Sequence, residues 1–239
     1  MRSHAKALKR KNDDGVGEGG ECWPSSDYAV SKLDVERRLI ALSDEGIIHN
    51  LVILRLAPVY DRDWSLNLDR RVFAPGKLAY LRFGSGSQRM SALARPNLVD
   101  FIELLIRTPA EYAPLSQVNS TGQGFRPGEI VSEFHRVGRF SQIKIFNVCD
   151  AEAYELPTII QVFKKSGIRP NRPVISVPLS PVWIATRIAG IFLHGKRNWL
   201  HSCYDKLASD LVFDNRKMMK TGFKPVHSLE TTFYAEITE

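Results

Sequence analysis

The sequence predicts an α/β fold, because segments typical of strands alternate with segments typical of helices. The apolar runs at 51–56 and 143–149 have the length of buried strands, and the first of them ends at a proline-marked loop. The stretches around them have helix caps and apolar stripes. Hydrophobic residues make up 44% of the 239 residues, which is enough to build a core.

The first half of the chain opens with a polar segment, residues 1–22, which we expect to be flexible. A helix of about twenty residues follows, from 26 to 45, with capping side chains at 25–27 and Gly46 as its stop. The strand at 51–56 comes next, followed by a long loop through Trp64.

A second helix is predicted from Asn97, acting as its N-cap, to Arg107. Its apolar stripe consists of Leu98, Phe101, Ile102 and Leu105. The segment 113–141, rich in Gly, Ser and Arg, is predicted to be an insertion or a mobile loop.

The second half of the chain is again predicted to alternate between strands and helices. Its expected elements are a strand at 143–149, a helix at 156–165, an extended segment at 173–178, a helix at 182–193, a short strand at 211–213 and a helix at 215–220. We therefore divide the chain into a flexible, basic and glycine-rich segment (1–22), a first structured part (23–112), the insertion (113–141) and a second structured part (142–239).

Tyr28 and Lys32 are the most informative residues of the chain. They lie four positions apart in the first predicted helix, so both side chains project from the same face. A free phenol releases its proton only near pH ~10, and a nearby cation stabilises the phenolate. Such a pair can move a proton on or off an alcohol while a cofactor carries the hydride. The structural alternative is a packed tyrosine with an exposed lysine, since Tyr-x-x-x-Lys is a weak pattern alone.

Further motifs follow in a definite order. They are Arg55-Leu-Ala-Pro-Val-Tyr60, Phe83-Gly-Ser-Gly-Ser-Gln-Arg-Met-Ser91, Phe146-Asn-Val-Cys-Asp150 with Tyr154, and Leu207–Asn215 ahead of Gly222-Phe-Lys-Pro225. With the Tyr-x-x-x-Lys helix, this order resembles the extended short-chain dehydrogenase/reductases, and most closely the NAD-dependent epimerase/dehydratase family that acts on nucleotide sugars. The resemblance covers nearly all of residues 22–239. It implies a partial doubly wound, Rossmann-like sheet that lacks its first strands, plus a smaller C-terminal substrate-binding lobe.

The resemblance also implies the catalytic residues. Tyr28 is the expected acid/base, and Lys32 is expected to hold the nicotinamide ribose and to stabilise the phenolate. Ser3 stands about where the family places the serine or threonine that completes this set. The alternative for Ser3 is a terminal serine without a role.

The expected binding residues lie further along the chain. Pro58 and Val59 belong to the loop that resembles the segment beside the nicotinamide, and many relatives have a glycine where this chain has Asp61. Arg89 falls where the family places an arginine against the substrate's diphosphate, a contact that suits a planar guanidinium. An ordinary surface arginine is the alternative. The implied cofactor is NAD or NADP, and the implied substrate is a nucleotide-diphosphate sugar.

The family's dinucleotide fingerprint is expected to be missing. Gly15–Gly20 matches Gly-x-Gly-x-x-Gly formally, but the charged run 9–14 precedes it where a strand is needed, and 21–24 follows it with a proline. We expect no phosphate binding there. Since family members pass several strand–helix units before the tyrosine, on the order of a hundred residues are expected to be absent from the front, and cofactor binding by this chain alone is doubtful.

Composition restricts the partners. The net charge of +7 meets only one of the usual criteria for nucleic-acid binding, so a nucleic acid is not expected, whereas a sugar diphosphate also favours positive surroundings. Three cysteines without metal-ligand spacing indicate thiols in a reducing, cytoplasmic setting and no metal site. The segment 182–193 is short and interrupted by Arg187, so no membrane span is expected.

Three interpretations therefore stay open. In the first, the chain is part of a nucleotide-sugar epimerase, dehydratase or keto-sugar reductase, with UDP-glucose 4-epimerase as the type. In the second, it is a catalytically silent relative that binds a sugar nucleotide or a partner chain. In the third, it is a basic binding module. Without the first strands, the strand at 51–56 and the inner face of the helix at 26–45 would lack cover. We therefore expect poor solubility or a homodimer formed through that edge.

Overall fold

The computed structural model describes residues 16–19, 27–107, 142–193, 200, 204–205 and 207–234. The chain divides into two compact units. Unit 1 comprises 1–21, 55–102 and 147–239, and unit 2 comprises 22–54 and 103–146. Among the described residues, no helix combines the length and the apolar character needed to cross a bilayer.

The described elements mix helices and strands along the whole chain, as the predicted α/β class requires. In chain order they are α1 (Asp27–Asp44), β1 (Asn50–Leu56), β2 (Val59–Tyr60), α2 (Leu66–Val72), a 3-10 turn (Pro75–Lys77), β3 (Tyr80–Phe83), β4 (Arg89–Met90), β5 (Leu93–Ala94), α3 (Arg95–Arg107), β6 (Gln142–Val148), β7 (Tyr154–Glu155), α4 (Leu156–Lys165), β8 (Val174–Val177), α5 (Leu179–Phe192), α6 (Arg216–Met219) and α7 (Leu229–Tyr234). The α/β class is therefore confirmed.

The strands pair two by two. β1 pairs with β6, β2 with β5, β3 with β8, and β4 with β7. The β2–β5 and β3–β8 pairs are parallel, whereas β4–β7 is antiparallel. Parallel neighbours cannot be joined by a tight turn, so these pairs bring together segments that are distant in the sequence.

Helix α1 ends where the sequence predicted. Gly46 adopts a positive φ of 75°, the left-handed conformation that glycine adopts without steric cost. Its amide donates to the Ser43 carbonyl at 3.0 Å, and the Ile47 amide donates to the Leu42 carbonyl at 2.9 Å. Among the described residues of α1 only Ser43 is buried, and its hydroxyl donates to the Ile48 carbonyl.

The main core of unit 1 forms where α2, α4 and α7 meet the short strands. Stacked or edge-on aromatic rings fill its centre. The ring pairs are Phe73–Tyr80, with centroids 4.3 Å apart, Phe73–Phe163 at 6.2 Å, Phe163–Phe233 at 5.1 Å and Tyr60–Phe233 at 6.0 Å. Buried aromatic rings remove large apolar areas from water, so this cluster contributes strongly to the stability of the unit.

A partly buried ionic cluster borders these rings. The Arg169 guanidinium lies 5.6 Å from the ring centroids of Phe163 and Phe233. It also donates to the Ser65 hydroxyl at 2.8 Å and pairs with the Asp69 carboxylate at 3.4 Å. The same carboxylate also accepts from Lys77 at 2.5 Å, so the cluster ties α2 both to the 3-10 turn and to the chain after α4.

Asp150, just after β6, is a buried acid that several donors hold in place. Its side chain accepts four bonds: the hydroxyls of Tyr60 and Tyr154 donate to Oδ2 at 2.7 and 2.8 Å, and the Ala94 amide and the Asn97 side-chain amide donate to Oδ1 at 2.8 and 2.7 Å. The residue is 1% exposed. Burial raises the pKa of the Asp150 carboxyl, and the four donors oppose that shift.

Asn97 has a role that the sequence did not indicate. The prediction that it caps α3 is wrong, because the helix already begins at Arg95. The buried amide instead donates to Asp150 and to the His227 carbonyl, and its oxygen accepts from the amides of Val226 and His227 at 3.2 and 3.0 Å. It therefore joins α3 to the segment that precedes α7.

Several other predicted elements are present in the structure. The helix at 156–165 is confirmed to the residue, and the strands at 51–56 and 143–149 are confirmed with one-residue shifts. The extended segment at 173–178 contains β8. The segment 113–141 lies outside the described residues, as do residues 1–15.

We expect the Asp150→Ala variant to lose about 3–5 kcal/mol of unfolding free energy, because several buried donors would lose their acceptor at about 1–3 kcal/mol each. Urea denaturation measures this difference. Glu152→Ala, which removes an exposed acid two residues away, serves as the matched control and should change stability by less than about 0.5 kcal/mol. If Asp150→Ala does not fold, Tyr154→Phe, which removes one donor, should lose about 1.5–3 kcal/mol. Losses below about 1 kcal/mol in both variants would contradict the assignment.

The two tyrosines bound to Asp150 predict a loss of stability at alkaline pH. Burial and the Asp150 charge raise the pKa of both the Tyr60 and the Tyr154 hydroxyl. The native state therefore keeps two protons that the unfolded chain releases near pH ~10, so stability falls as the pH rises above that value. In the Tyr154→Phe variant, the free energy of unfolding should fall less steeply with pH, by up to about 1.4 kcal/mol per pH unit. Urea unfolding between about pH 9 and pH 11 provides the test, and equal slopes in both proteins would overturn it.

Candidate functional site

Tyr28 and Lys32 lie in the first two turns of α1, in unit 2. The helix begins at Asp27, so the two residues are separated by one turn and share a face. The Lys32 Nζ lies over the Tyr28 ring, 5.6 Å from its centroid, within the ~6 Å reach of a cation–π contact. The predicted proximity of the two groups is therefore present in the structure.

Both groups are accessible. Tyr28 is 73% exposed, and Lys32 is exposed as well. Among the described residues no carboxylate forms an ion pair with Lys32, so its ammonium can still donate hydrogen bonds to a ligand. A ribose with two adjacent hydroxyls is suited to such a donor, and a substrate alcohol is suited to the phenol. These two residues thus fit the group that the sequence resemblance implies.

The loop that contains Pro58 and Val59 lies in unit 1 and is fixed by strand contacts. Val59 pairs in parallel with Leu93, and the Pro58 carbonyl accepts from the Leu93 amide at 3.1 Å. The Ala57 amide donates to the Val148 carbonyl at 2.9 Å. The backbone of this loop is thereby held on both sides.

Asp61, which replaces the usual glycine, needs no left-handed backbone, since Lys77 is the one described non-glycine residue with a positive φ. Its amide donates to the Trp64 carbonyl at 2.7 Å. Its carboxylate pairs with Arg95 at 2.6 Å, which links the loop to the start of α3.

Arg89 opens β4 in unit 1, and its guanidinium already has a partner. The Arg89 Nε lies 3.7 Å from the Asp210 carboxylate, and the Arg89 amide donates to the same carboxylate at 2.9 Å. The Arg89 side chain is 36% exposed, so part of the guanidinium still faces solvent. This arrangement is compatible with both interpretations of the residue, a diphosphate ligand and a surface ion pair.

The described part of the glycine-rich segment, residues 16–19, contacts the chain rather than forming a phosphate loop. Val16 forms a parallel bridge with Phe213. The Glu18 carboxylate accepts from the Asn147 amide at 3.0 Å, and the Glu18 carbonyl accepts from Arg55 at 2.9 Å. An acid at this position would repel a phosphate.

The predicted site residues thus fall into three groups. Tyr28 and Lys32 lie together in unit 2, whereas Pro58, Val59 and Arg89 lie in unit 1. Ser3 lies outside the described residues. Within the described ranges, no group of three His, Cys, Asp or Glu side chains could hold a metal ion.

The buried acid Asp150 is a structural centre to which the sequence assigned no role, although it closes the Phe146–Asp150 motif with Tyr154 nearby. One feature of the sequence does indicate such a role: an acid that directly follows a buried apolar strand needs hydrogen-bond donors around it. The partners Tyr60 and Asn97, which lie 90 and 53 residues away, could not be identified from the sequence.

Comparison with protein-family models found no match. A search of curated proteins also found none.

Solved structures do match. The chain is similar to UDP-glucuronic acid 4-epimerase from Bacillus cereus in complex with NAD, with a TM-score of 0.55 and 15% identity over 97% of this chain and 57% of that one. It is also similar to UDP-glucose 4-epimerase from Thermus thermophilus in complex with NAD, with a TM-score of 0.53 and 13% identity over 95% and 58% of the two chains. A third, MoeE5 in complex with UDP-glucose and NAD, gives a TM-score of 0.51 and 15% identity over 95% and 60%.

The chain therefore spans 57–60% of the length of these solved structures. Identities of 13–15% are too low to transfer an activity, but the agreement covers almost the whole chain. The predicted fold class, a partial Rossmann-like α/β arrangement, is therefore confirmed as the fold that these epimerase structures share.

Proposed function

We propose that this chain contributes the proton-transfer and substrate-binding residues of an oxidoreductase of the nucleotide-sugar epimerase/dehydratase type, with UDP-glucose 4-epimerase as the nearest reaction. The observation that supports this most is the accessible Tyr28 with the Lys32 ammonium 5.6 Å from its ring centroid. A phenol near a cation at the start of an exposed helix is suited to exchange a proton with a sugar hydroxyl.

Each residue has a defined task in this proposal. The Tyr28 phenolate takes the proton from a sugar hydroxyl and returns it after the carbon centre has been reduced again. Lys32 donates to the nicotinamide ribose and stabilises the phenolate by its charge. Ser3 completes this set as a donor to the same sugar hydroxyl.

Unit 1 supplies the binding residues of the proposal. Pro58 and Val59 form a wall beside the nicotinamide, and the β2–β5 pairing makes that wall rigid. Arg89 contacts the substrate's diphosphate from the part of its guanidinium that faces solvent. The ligand would be a nucleotide-diphosphate sugar, and the oligomeric state we propose is a homodimer.

NAD, when bound, supplies the hydride chemistry at the sugar carbon. What the chain itself contributes is proton transfer at the phenol and placement of the ligand. Epimerisation, dehydration and simple keto-sugar reduction share these steps and differ in the fate of the keto-sugar.

One observation favours the silent alternative, in which the chain binds a sugar nucleotide or a partner chain without turnover. A loop that binds a pyrophosphate needs backbone amides that are open to the ligand, but the described residues 16–19 include the acid Glu18. The Glu18 carboxylate accepts from the Asn147 backbone amide. Cofactor binding is therefore the property that separates the two functions.

We expect the chain to bind NADH, detected as quenching of tryptophan fluorescence, if it is an enzyme. Lys32→Met should then weaken NADH binding about tenfold or more, because a charge-assisted hydrogen bond to the ribose is lost. Lys220→Met, which removes an exposed lysine after α6, is the matched control and should bind as the native chain does. Absence of NADH binding by the native chain would favour the silent function.

We expect Tyr28→Phe to lower the rate of UDP-glucose epimerisation by about 10²-fold or more, because the general acid/base is removed. NADH affinity should stay within about threefold of the native value, since the ring and Lys32 remain. Tyr234→Phe, at an exposed tyrosine in α7, is the control. A Tyr28→Phe variant with native activity would exclude Tyr28 as the acid/base.

A further inference from the structure

A groove of about 460 Å³ opens on unit 1, between α4 and the β3–β8 pair. Residues from all three elements line it: Pro157, Ile160, Gln161, Lys164 and Lys165 from α4, Arg82 from β3, and Val174 and Ser176 from β8. This volume is within the range of pockets that hold small organic molecules.

The cation on the strand side of the groove is held in place. Arg82 and Ser176 are register partners in the parallel pair, and the Arg82 Nη2 donates to the Ser176 hydroxyl at 2.8 Å. Gly86, with φ 79°, brings the backbone close to this side chain, since a Cβ there would lie 2.8 Å from the Arg82 Cγ and 3.3 Å from the Pro157 Cγ. The glycine thus lets the loop pack against the aliphatic part of Arg82.

The groove has cationic side chains without matching acids. Arg82, Lys164 and Lys165 line it, and none of the acidic residues in the described ranges does. None of the three forms an ion pair with a residue that the structure describes. By contrast, Arg89, Arg169 and Arg216 on the same unit each pair with an aspartate. Three cations in one concave surface attract an anion more strongly than isolated surface charges do.

The floor of the groove is apolar. Ile160 and Pro157 face it from the helix, and Val174, 41% exposed, faces it from β8. A purely ionic ligand such as inorganic phosphate would leave these apolar side chains in contact with water. A ligand with an apolar body would cover it and gain about 25 cal/mol for each Å² removed from water.

Helix stability explains only part of this arrangement. Lys164 and Lys165 lie in the last turn of α4, where cations stabilise the helix dipole. That effect gives no reason for Arg82, which reaches the same groove from a strand and is held there by Ser176 and the Gly86 loop.

We propose that this groove binds an organic anion that joins a phosphate or similar group to an apolar body. Lys164, Lys165 and Arg82 bind the anionic group, and Pro157, Ile160 and Val174 contact the apolar body. The site goes beyond the function proposed for Tyr28, and its ligand is either a free organophosphate or the headgroup region of an anionic lipid.

Calorimetric titration with phenyl phosphate tests the proposal on the full chain. We expect phenyl phosphate to bind at least about fivefold more tightly than inorganic phosphate, because only the former covers the apolar floor. Phenol should give no measurable binding. The Lys164→Ala/Lys165→Ala variant should bind phenyl phosphate at least about tenfold more weakly.

The control variant Lys217→Ala/Lys220→Ala removes the same number of charges from α6 and its end, and should bind within about twofold of the native chain. Tyr28→Phe and Arg89→Ala should also keep phenyl phosphate binding, so failure of the proposed function and failure of this site give different results. Since Lys165 is exposed and Lys164 half-buried, circular dichroism should show that the double variant is folded.

Sedimentation with vesicles of phosphatidylcholine and phosphatidylglycerol separates the two sources of the anion. If the native chain sediments with the vesicles and Lys164→Ala/Lys165→Ala does not, the ligand is a lipid headgroup. If the native chain binds phenyl phosphate but does not sediment with the vesicles, the ligand is a free organophosphate. The proposal is overturned if phenyl phosphate does not bind, if inorganic phosphate binds equally well, or if the α6 variant weakens binding as much as the groove variant does.

Discussion

The Asp150 carboxylate joins the parts of unit 1 that sequence order keeps far apart. Its two oxygens accept from the end of β2, from β5, from α3 and from β7. A buried charge is costly unless it is fully hydrogen-bonded, and here four donors meet that requirement. Because each donor comes from a different element, the geometry of all four is fixed by one side chain. Asn97 extends the same network to the segment before α7.

This network also determines how rigid the expected nicotinamide wall is. Val59 and Tyr60 form β2, and the Tyr60 hydroxyl is bound to Asp150 while Val59 is paired with Leu93. The loop is therefore held by both its backbone and a side chain. Sites held in this way lose little conformational entropy when a ligand binds, which favours precise placement of the ligand.

Tyr28 and Lys32, in contrast to this loop, are exposed and are not held by a buried network of the described residues. Their helix buries little of its own surface in the described chain, and the phenol projects into solvent. Proton transfer by a phenol becomes efficient when water is excluded and the partner charge acts through a low dielectric. The proposed chemistry thus depends on a ligand that covers this face, whereas the backbone at Pro58 and Val59 is already fixed by its strand contacts.

Local signals explain which elements the sequence predicted well. The helix at 156–165 has a proline in its first turn and lysines at its end, and Gly46 provides the left-handed residue that ends α1. Tyr28 and Lys32 were placed together by helical spacing alone. The start of α3 was misplaced because Asn97, a typical capping residue, is used by tertiary partners instead. Likewise, the Asp210 partner of Arg89 lies 121 residues away, beyond the range of any local pattern.

The parallel pair β3–β8 has a consequence for biosynthesis. Tyr80 lies opposite Val174, so the first strand leaves the ribosome more than ninety residues before its neighbour exists. At translation speeds of about 5–20 residues per second, that strand waits roughly 5–20 s with one edge unsatisfied. Docking of Asp150 onto Tyr60 is delayed in the same way. The β3–β8 contacts of unit 1 can therefore form only after residue 174 has emerged, and until then chaperones can bind the open strand edge.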